Sequence, residues 1–104
     1  MNTVNNDTEL LWAKLNGETA RFAWKELQRF FASGAVIVVA PELDLVDVAV
    51  KIAEDDKPAV EQWMQQGKIG RVSDEQAQAW WDADTALWTV VVKPWILVQP
   101  PKTH

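Results

Sequence analysis

Carboxylates are the side chains with the clearest chemical potential in this sequence. Glu54, Asp55 and Asp56 are adjacent, and Asp44 and Asp47 precede them in the same acidic stretch. Such a group could ligate Ca²⁺ or Mg²⁺, or exchange protons with a substrate. The spacing does not match an EF-hand loop, which needs a glycine at its sharp turn. Acidic residues also favour the first turn of a helix, and we prefer that structural role to a metal site.

Other catalytic groups are scarce. Cysteine is absent and the one histidine is His104. These facts exclude a disulfide framework, cysteine-based zinc sites and thiol catalysis, and leave little scope for an imidazole base. The segment 67–71 (GKIGR) lacks the spacing and the trailing Ser or Thr of a phosphate-binding loop, so a helix cap and a turn are predicted there. We therefore predict no catalytic residue, no metal and no cofactor, and favour a non-enzymatic protein.

Tryptophan is abundant, with seven among the 104 residues. It performs no acid or base chemistry, but it fills cores and anchors partners. Adjacent residues of a helix point about 100° apart, so only one of Trp80 and Trp81 can be central in a core. The predicted core tryptophans are Trp24, Trp63 and Trp88. The predicted partner-binding residues are Trp80, Trp81, Trp95, Glu54 and Asp55.

The net charge of −5 comes from one stretch. Residues 41–61 carry seven acidic and two basic side chains, whereas both flanks are neutral. Nucleic-acid binding needs concentrated positive charge, so we predict a protein partner and no nucleic acid. The N-terminal residues do not resemble a secretory signal, and no apolar run is long enough to span a membrane. A cytoplasmic protein without membrane contact is the resulting expectation.

Capping signals locate four helices. Asp7 or Thr8 begins the first, which ends at Asn16-Gly17. The second carries Trp24, Leu27, Phe30 and Phe31 and ends at Ser33-Gly34. The last two are capped by Asp56, with Pro58 in the first turn, and by Ser73, with Gln76 three residues later.

Apolar runs predict four strands, over 35–40, 46–52, 87–92 and 95–98. In 46–52 the apolar residues alternate, although a helix is also possible, and 18–23 fits either structure. The other three strands are apolar on both faces. Either further helices form a third layer, or a second copy covers the exposed face, and the latter predicts a homodimer.

These elements predict an α+β fold with a small, largely antiparallel sheet of about four strands and three to four helices. The predicted domain spans 8–99, between flexible segments at 1–7 and 100–104. The favoured function is a self-associating protein-interaction module. The alternative is a carboxylate-dependent enzyme or divalent-metal-binding protein that uses the acidic 42–56 region.

Four segments resemble a small bacterial family, the domain of unknown function 2288. They are 24–32 (WKELQRFFA), 43–46 (LDLV), 53–56 (AEDD) and 91–95 (VVKPW). The resemblance extends over nearly all of residues 8–99 and implies a stand-alone bacterial protein. It implies no activity, substrate or cofactor, and it assigns no functional residue.

Overall fold

A five-stranded mixed sheet lies between two groups of helices. The structure is a computed structural model that describes residues 3–101. Its α-helices are α1 (Thr3–Glu18), α2 (Gln28–Ala32), α3 (Leu45–Ala53), α4 (Lys57–Gln65) and α5 (Asp74–Asp82), and a 3-10 helix (Trp24–Leu27) precedes α2. Its strands are β1 (Ala20–Ala23), β2 (Val36–Val39), β3 (Ile69–Arg71), β4 (Ala86–Val92) and β5 (Trp95–Gln99).

The strand order in the sheet is β1-β4-β5-β2-β3. β5 occupies the centre, antiparallel to β4 and parallel to β2, and the outer pairs β1–β4 and β2–β3 are antiparallel. A two-residue turn with a cis Lys93–Pro94 bond joins β4 to β5. The α+β prediction is therefore confirmed, but the sheet has five strands rather than four and it is mixed.

The predicted strand at 46–52 is wrong, because this segment is helix α3. The carboxylate of Asp44 caps the helix by accepting hydrogen bonds from the amides of Val46 and Asp47, at 2.9 and 3.2 Å. α3 is buried on most sides, so apolar residues cover more than one of its faces. The alternation of valines is a by-product of this burial and not the signature of a strand.

Two edge strands were hard to recognise from the sequence. The ambiguous segment 18–23 contributes β1, which pairs with residues 86–89 of β4. β3 was not predicted at all, since it has only three residues and one of them is glycine. Gly67, at φ +73°, ends α4 as predicted.

The other predicted helix ends are largely confirmed. Asp56 accepts from the amide of Ala59, and Ser73 accepts from that of Gln76. α1 begins at Thr3, before the predicted cap at Asp7 or Thr8 and inside the segment expected to be flexible. Of the two predicted flexible ends, residues 1–2 and 102–104 lie outside the described part of the chain.

Each face of the sheet carries its own hydrophobic core. The aliphatic core, between the sheet and α1, α3 and α4, is built from the buried residues Leu15, Val39, Leu45, Val46, Val48, Ala49, Val50, Ile69, Val90, Val92 and Leu97. The aromatic core, between the opposite face and α2, α5 and the 3-10 helix, is built from Trp24, Leu27, Val36, Val72, Ala77, Trp80, Leu87, Ile96 and Val98. Helices thus cover both faces of the sheet and form a third layer. The prediction of a homodimer that covers an exposed sheet face therefore has no support from the strands.

Candidate functional site

The acidic stretch has structural roles at the start of two helices. Asp44 caps α3, and Asp56 caps α4 through the amide of Ala59 at 3.3 Å. The Asp56 carboxylate also lies 3.7 Å from the ammonium nitrogen of Lys51. A carboxylate at a helix N-terminus satisfies free amides and complements the helix dipole. These contacts agree with the helix-start interpretation of the acidic run.

Other acidic side chains join α3 to α1. Glu54 accepts a hydrogen bond from the hydroxyl of Thr8 at 3.0 Å, and Asp47 accepts one from the indole N–H of Trp12 at 2.8 Å. Asp55 sits in the turn after α3 with a φ of +59°. Within residues 3–101, no three His, Cys, Asp or Glu side chains are grouped closely enough to hold a metal ion. The weak metal candidates Glu54, Asp55 and Asp56 are therefore not brought together as a ligand set.

The two adjacent tryptophans of α5 differ in solvent exposure, as the helix geometry predicts. Trp80 is buried against Trp24, with ring centroids 5.0 Å apart in an edge-to-face arrangement. Trp81 points outward and is 44% exposed. Trp80 is thus part of the core and has no free ring to offer a partner, whereas Trp81 does.

Trp24 is fully buried as predicted, but the prediction for Trp88 is wrong. Trp88 lies on the same face as the aliphatic core, yet it remains 42% exposed. Its cross-strand neighbour on β1 is Arg21, whose guanidinium lies 5.5 Å from the ring centroid. The Arg21 guanidinium lies against this ring, which the sequence pattern predicts to be buried in the core.

A surface on the aromatic side of the molecule is centred on Trp81. The ammonium of Lys25 lies 5.1 Å from the Trp81 ring centroid and 3.8 Å from the Asp84 carboxylate. Beside the ring runs a groove of about 460 Å³ between α2 and α5. Its lining consists of Gln28, Phe31, Asp74, Ala77, Gln78 and Trp81. We call this ring and groove the Trp81 surface.

The second cavity, of about 540 Å³, opens on the opposite side of the sheet. It lies between β3, the β4–β5 turn and the helices α3 and α4, and we call it the β3 cleft. Trp95 is half-buried against the aliphatic core and lines this cleft together with Asp55. The predicted partner-binding residues Trp81 and Trp95 therefore belong to different sites.

Three cations of the β3 cleft were missed by sequence reasoning. They are Lys57 at the start of α4, Arg71 at the end of β3, and Lys93 in the β4–β5 turn. Their positions are far apart in the sequence, and no motif links them. Only the tertiary fold brings these three segments to one cleft.

None of the helices between residues 3 and 101 combines the length and the apolar character that crossing a bilayer requires.

The comparisons with known proteins support the resemblance noted in the sequence. A family model described as "Protein of unknown function (DUF2288)" matches residues 10–100. A solution NMR structure of PA1075 from Pseudomonas aeruginosa is 42% identical, covers 91% of this chain and 92% of its own, and superposes with a TM-score of 0.78. No curated protein matches the chain. A match over this much of the chain shows that the protein belongs to the family of proteins of unknown function DUF2288.

Proposed function

We propose that this protein is a non-enzymatic interaction module that self-associates through the Trp81 surface. The observation that carries the proposal is the contrast between Trp80 and Trp81. Trp80 fixes α5 to the core, and the next residue presents a large ring that is 44% exposed. Tryptophan is among the residues that most often dominate binding energy at protein interfaces.

The Trp81 ring already has a contact within the chain before any partner binds. Lys25 lies over it and is itself paired with Asp84, and the helix that carries it is anchored by Trp80. An ordered side chain loses less conformational entropy on association than a mobile one. Trp81 therefore has the properties of a rigid anchor.

A second copy is the occupant that suits this surface. The protruding ring of Trp81 and the groove lined by Phe31 and Ala77 are adjacent on one face. In a two-fold dimer the same patch meets itself, so each ring can enter the groove of the other copy. Lys25 and Asp74 supply opposite charges within the same patch.

The enzymatic alternative has less support. Four carboxylates of the acidic 42–56 region, those of Asp44, Asp47, Glu54 and Asp56, already accept hydrogen bonds from helix amides or from α1. A divalent-metal site would raise the melting temperature when Ca²⁺, Mg²⁺ or Mn²⁺ is added. We expect no such shift from millimolar ions, and a clear shift would favour the metal-binding alternative.

The test is the molar mass in solution, measured by light scattering during size exclusion at micromolar concentration. We expect a dimer for the wild type and a folded monomer for Trp81→Ala. Trp88→Ala is the matched control, since it removes an equally exposed ring from the other side of the sheet and should remain dimeric. A monomeric wild type, or dimers of unchanged stability in Trp81→Ala, would contradict the proposal.

A further inference from the structure

The β3 cleft combines an apolar lining with charged groups at its opening. Its apolar lining is formed by Ile37, Ile52, Val60, Ile69 and Trp95, which come from five different elements. The volume of about 540 Å³ lies within the range of roughly 300–1,000 Å³ that small-molecule sites occupy. A cavity lined by both apolar and charged side chains suits a ligand with an apolar body and a polar head.

The cations at the cleft have no ion-pair or cation–π partner among the described residues. Within the described residues, Lys25, Lys51 and Lys68 make ion pairs. Arg21 and Arg29 lie over aromatic rings. The described basic residues that make neither contact are Lys14, Lys57, Arg71 and Lys93. Three of these four line the same cleft, and Lys14 on α1 does not.

Carboxylates at the same cleft limit the charge of the ligand. Asp55, Asp56 and Glu61 also line it, and Asp56 is already paired with Lys51. The three unpaired cations then face two carboxylates that have no cation partner among the described residues. One positive charge is left uncompensated, which matches a ligand with a single negative charge.

We propose that the β3 cleft binds a small amphiphilic monoanion, namely an acyl or aryl carboxylate. Its apolar body lies against Ile37, Ile69 and Trp95, and its carboxylate lies between Arg71 and Lys93. A second negative charge on the ligand does not raise its affinity, because the carboxylates of Asp55 and Glu61 repel it at close range. This site lies across the sheet from the Trp81 surface and does not depend on self-association.

Octanoate is the probe, titrated into the isotope-labelled protein and followed by the NMR signals of the Gly70 amide and the Trp95 indole. We expect saturable shifts at both positions. Octanol carries the same chain without charge and should bind more weakly. Octyl phosphate, at about pH 8 where it carries close to two charges, should bind no tighter than octanoate.

Variants of the rim test whether the cations recognise the head group. Arg71→Gln and Lys93→Gln should each lower the affinity for octanoate roughly two- to fivefold, which is the effect expected of a partly exposed ion pair. Lys14→Gln removes the other unpaired cation and should leave the affinity unchanged. The proposal is overturned if octanoate gives no saturable shifts, if octanol binds equally well, if octyl phosphate binds clearly tighter, or if the three variants behave alike.

Discussion

The aliphatic core and the aromatic core share one sheet but fill their space in different ways. The eleven buried residues of the aliphatic core include no aromatic ring, whereas two of the nine in the aromatic core are tryptophans. Many short side chains divide the burial energy among themselves, while a few rings concentrate it. Single positions should therefore matter more for stability in the aromatic core than in the aliphatic core.

Trp24 is where this concentration is greatest. Its ring is fully buried and makes edge-to-face contacts with Phe31 at 5.2 Å and Trp80 at 5.0 Å. Its indole N–H has no hydrogen-bond partner among the described residues. The contacts of the ring with the described residues are therefore packing contacts.

The largest expected effect is that of Trp24→Ala. Removing a buried ring of this size should cost about 3–5 kcal/mol, a large share of the roughly 5–15 kcal/mol that stabilises a domain. Trp24→Phe should cost less, since a phenyl ring keeps part of the packing and removes an unpaired buried N–H. Urea unfolding followed by circular dichroism measures both. If Trp24→Ala lowers the free energy of unfolding no more than a valine-to-alanine change in the aliphatic core, burial energy is not concentrated in the rings.

Trp80→Ala and Trp81→Ala remove a buried ring and an exposed ring at adjacent positions of one helix. Removing the buried ring of Trp80 should lower the free energy of unfolding by about 3–5 kcal/mol. Removing the exposed ring of Trp81 should lower it by less than about 1 kcal/mol. Thermal unfolding of the two variants under identical conditions provides the measurement. Equal and large losses would place both rings in the core and remove Trp81 as an anchor.

The aliphatic core should respond less to a single change. Val48 on α3 is fully buried, and Val48→Ala removes two methyl groups at a cost of about 1.5–2.5 kcal/mol. The loss is measured by urea unfolding alongside Trp24→Ala. If Val48→Ala proved the more damaging variant, burial energy would be concentrated in α3 and not in the rings.

The smallest effects are expected at the N-caps of two helices, α3 on one side of the sheet and α5 on the other. Asp44→Ala should cost about 1 kcal/mol, and Ser73→Ala somewhat less. The difference is expected because Asp44 accepts two amide hydrogen bonds and Ser73 accepts one. Melting temperatures of the two variants rank them. The reverse order would mean that packing around α3 makes its cap dispensable.

Local chemistry made much of the fold predictable. Asp56, Ser73 and Gly67 mark helix ends through their own side chains or backbone freedom, so the sequence near them is sufficient. The asymmetry of Trp80 and Trp81 follows likewise from the rotation per residue of a helix. In these cases the deciding interaction lies within a few positions of the residue.

The failures share a dependence on distant partners. The alternating valines of α3 suggest a strand because packing buries more than one face of this helix, which leaves only a narrow polar side that includes Asp47 and Lys51. Trp88 was expected in the core, but its covering group is Arg21 on β1, 67 positions away in the chain. The cations of the β3 cleft were missed for the same reason, since only the tertiary fold brings Arg71 and Lys93 to the same cleft.

Because β5 is both the middle strand of the sheet and the last to be synthesised, the sheet is completed late during synthesis on the ribosome. A nascent chain that has delivered residues up to Val92 contains the pairs β1–β4 and β2–β3, but β5 is the strand that joins them. Until residues 95–99 emerge, the two halves of the sheet have no shared hydrogen bonds, and both expose unpaired strand edges that favour aggregation. Synthesis must therefore run nearly to the end of the sheet-forming sequence before either core can close.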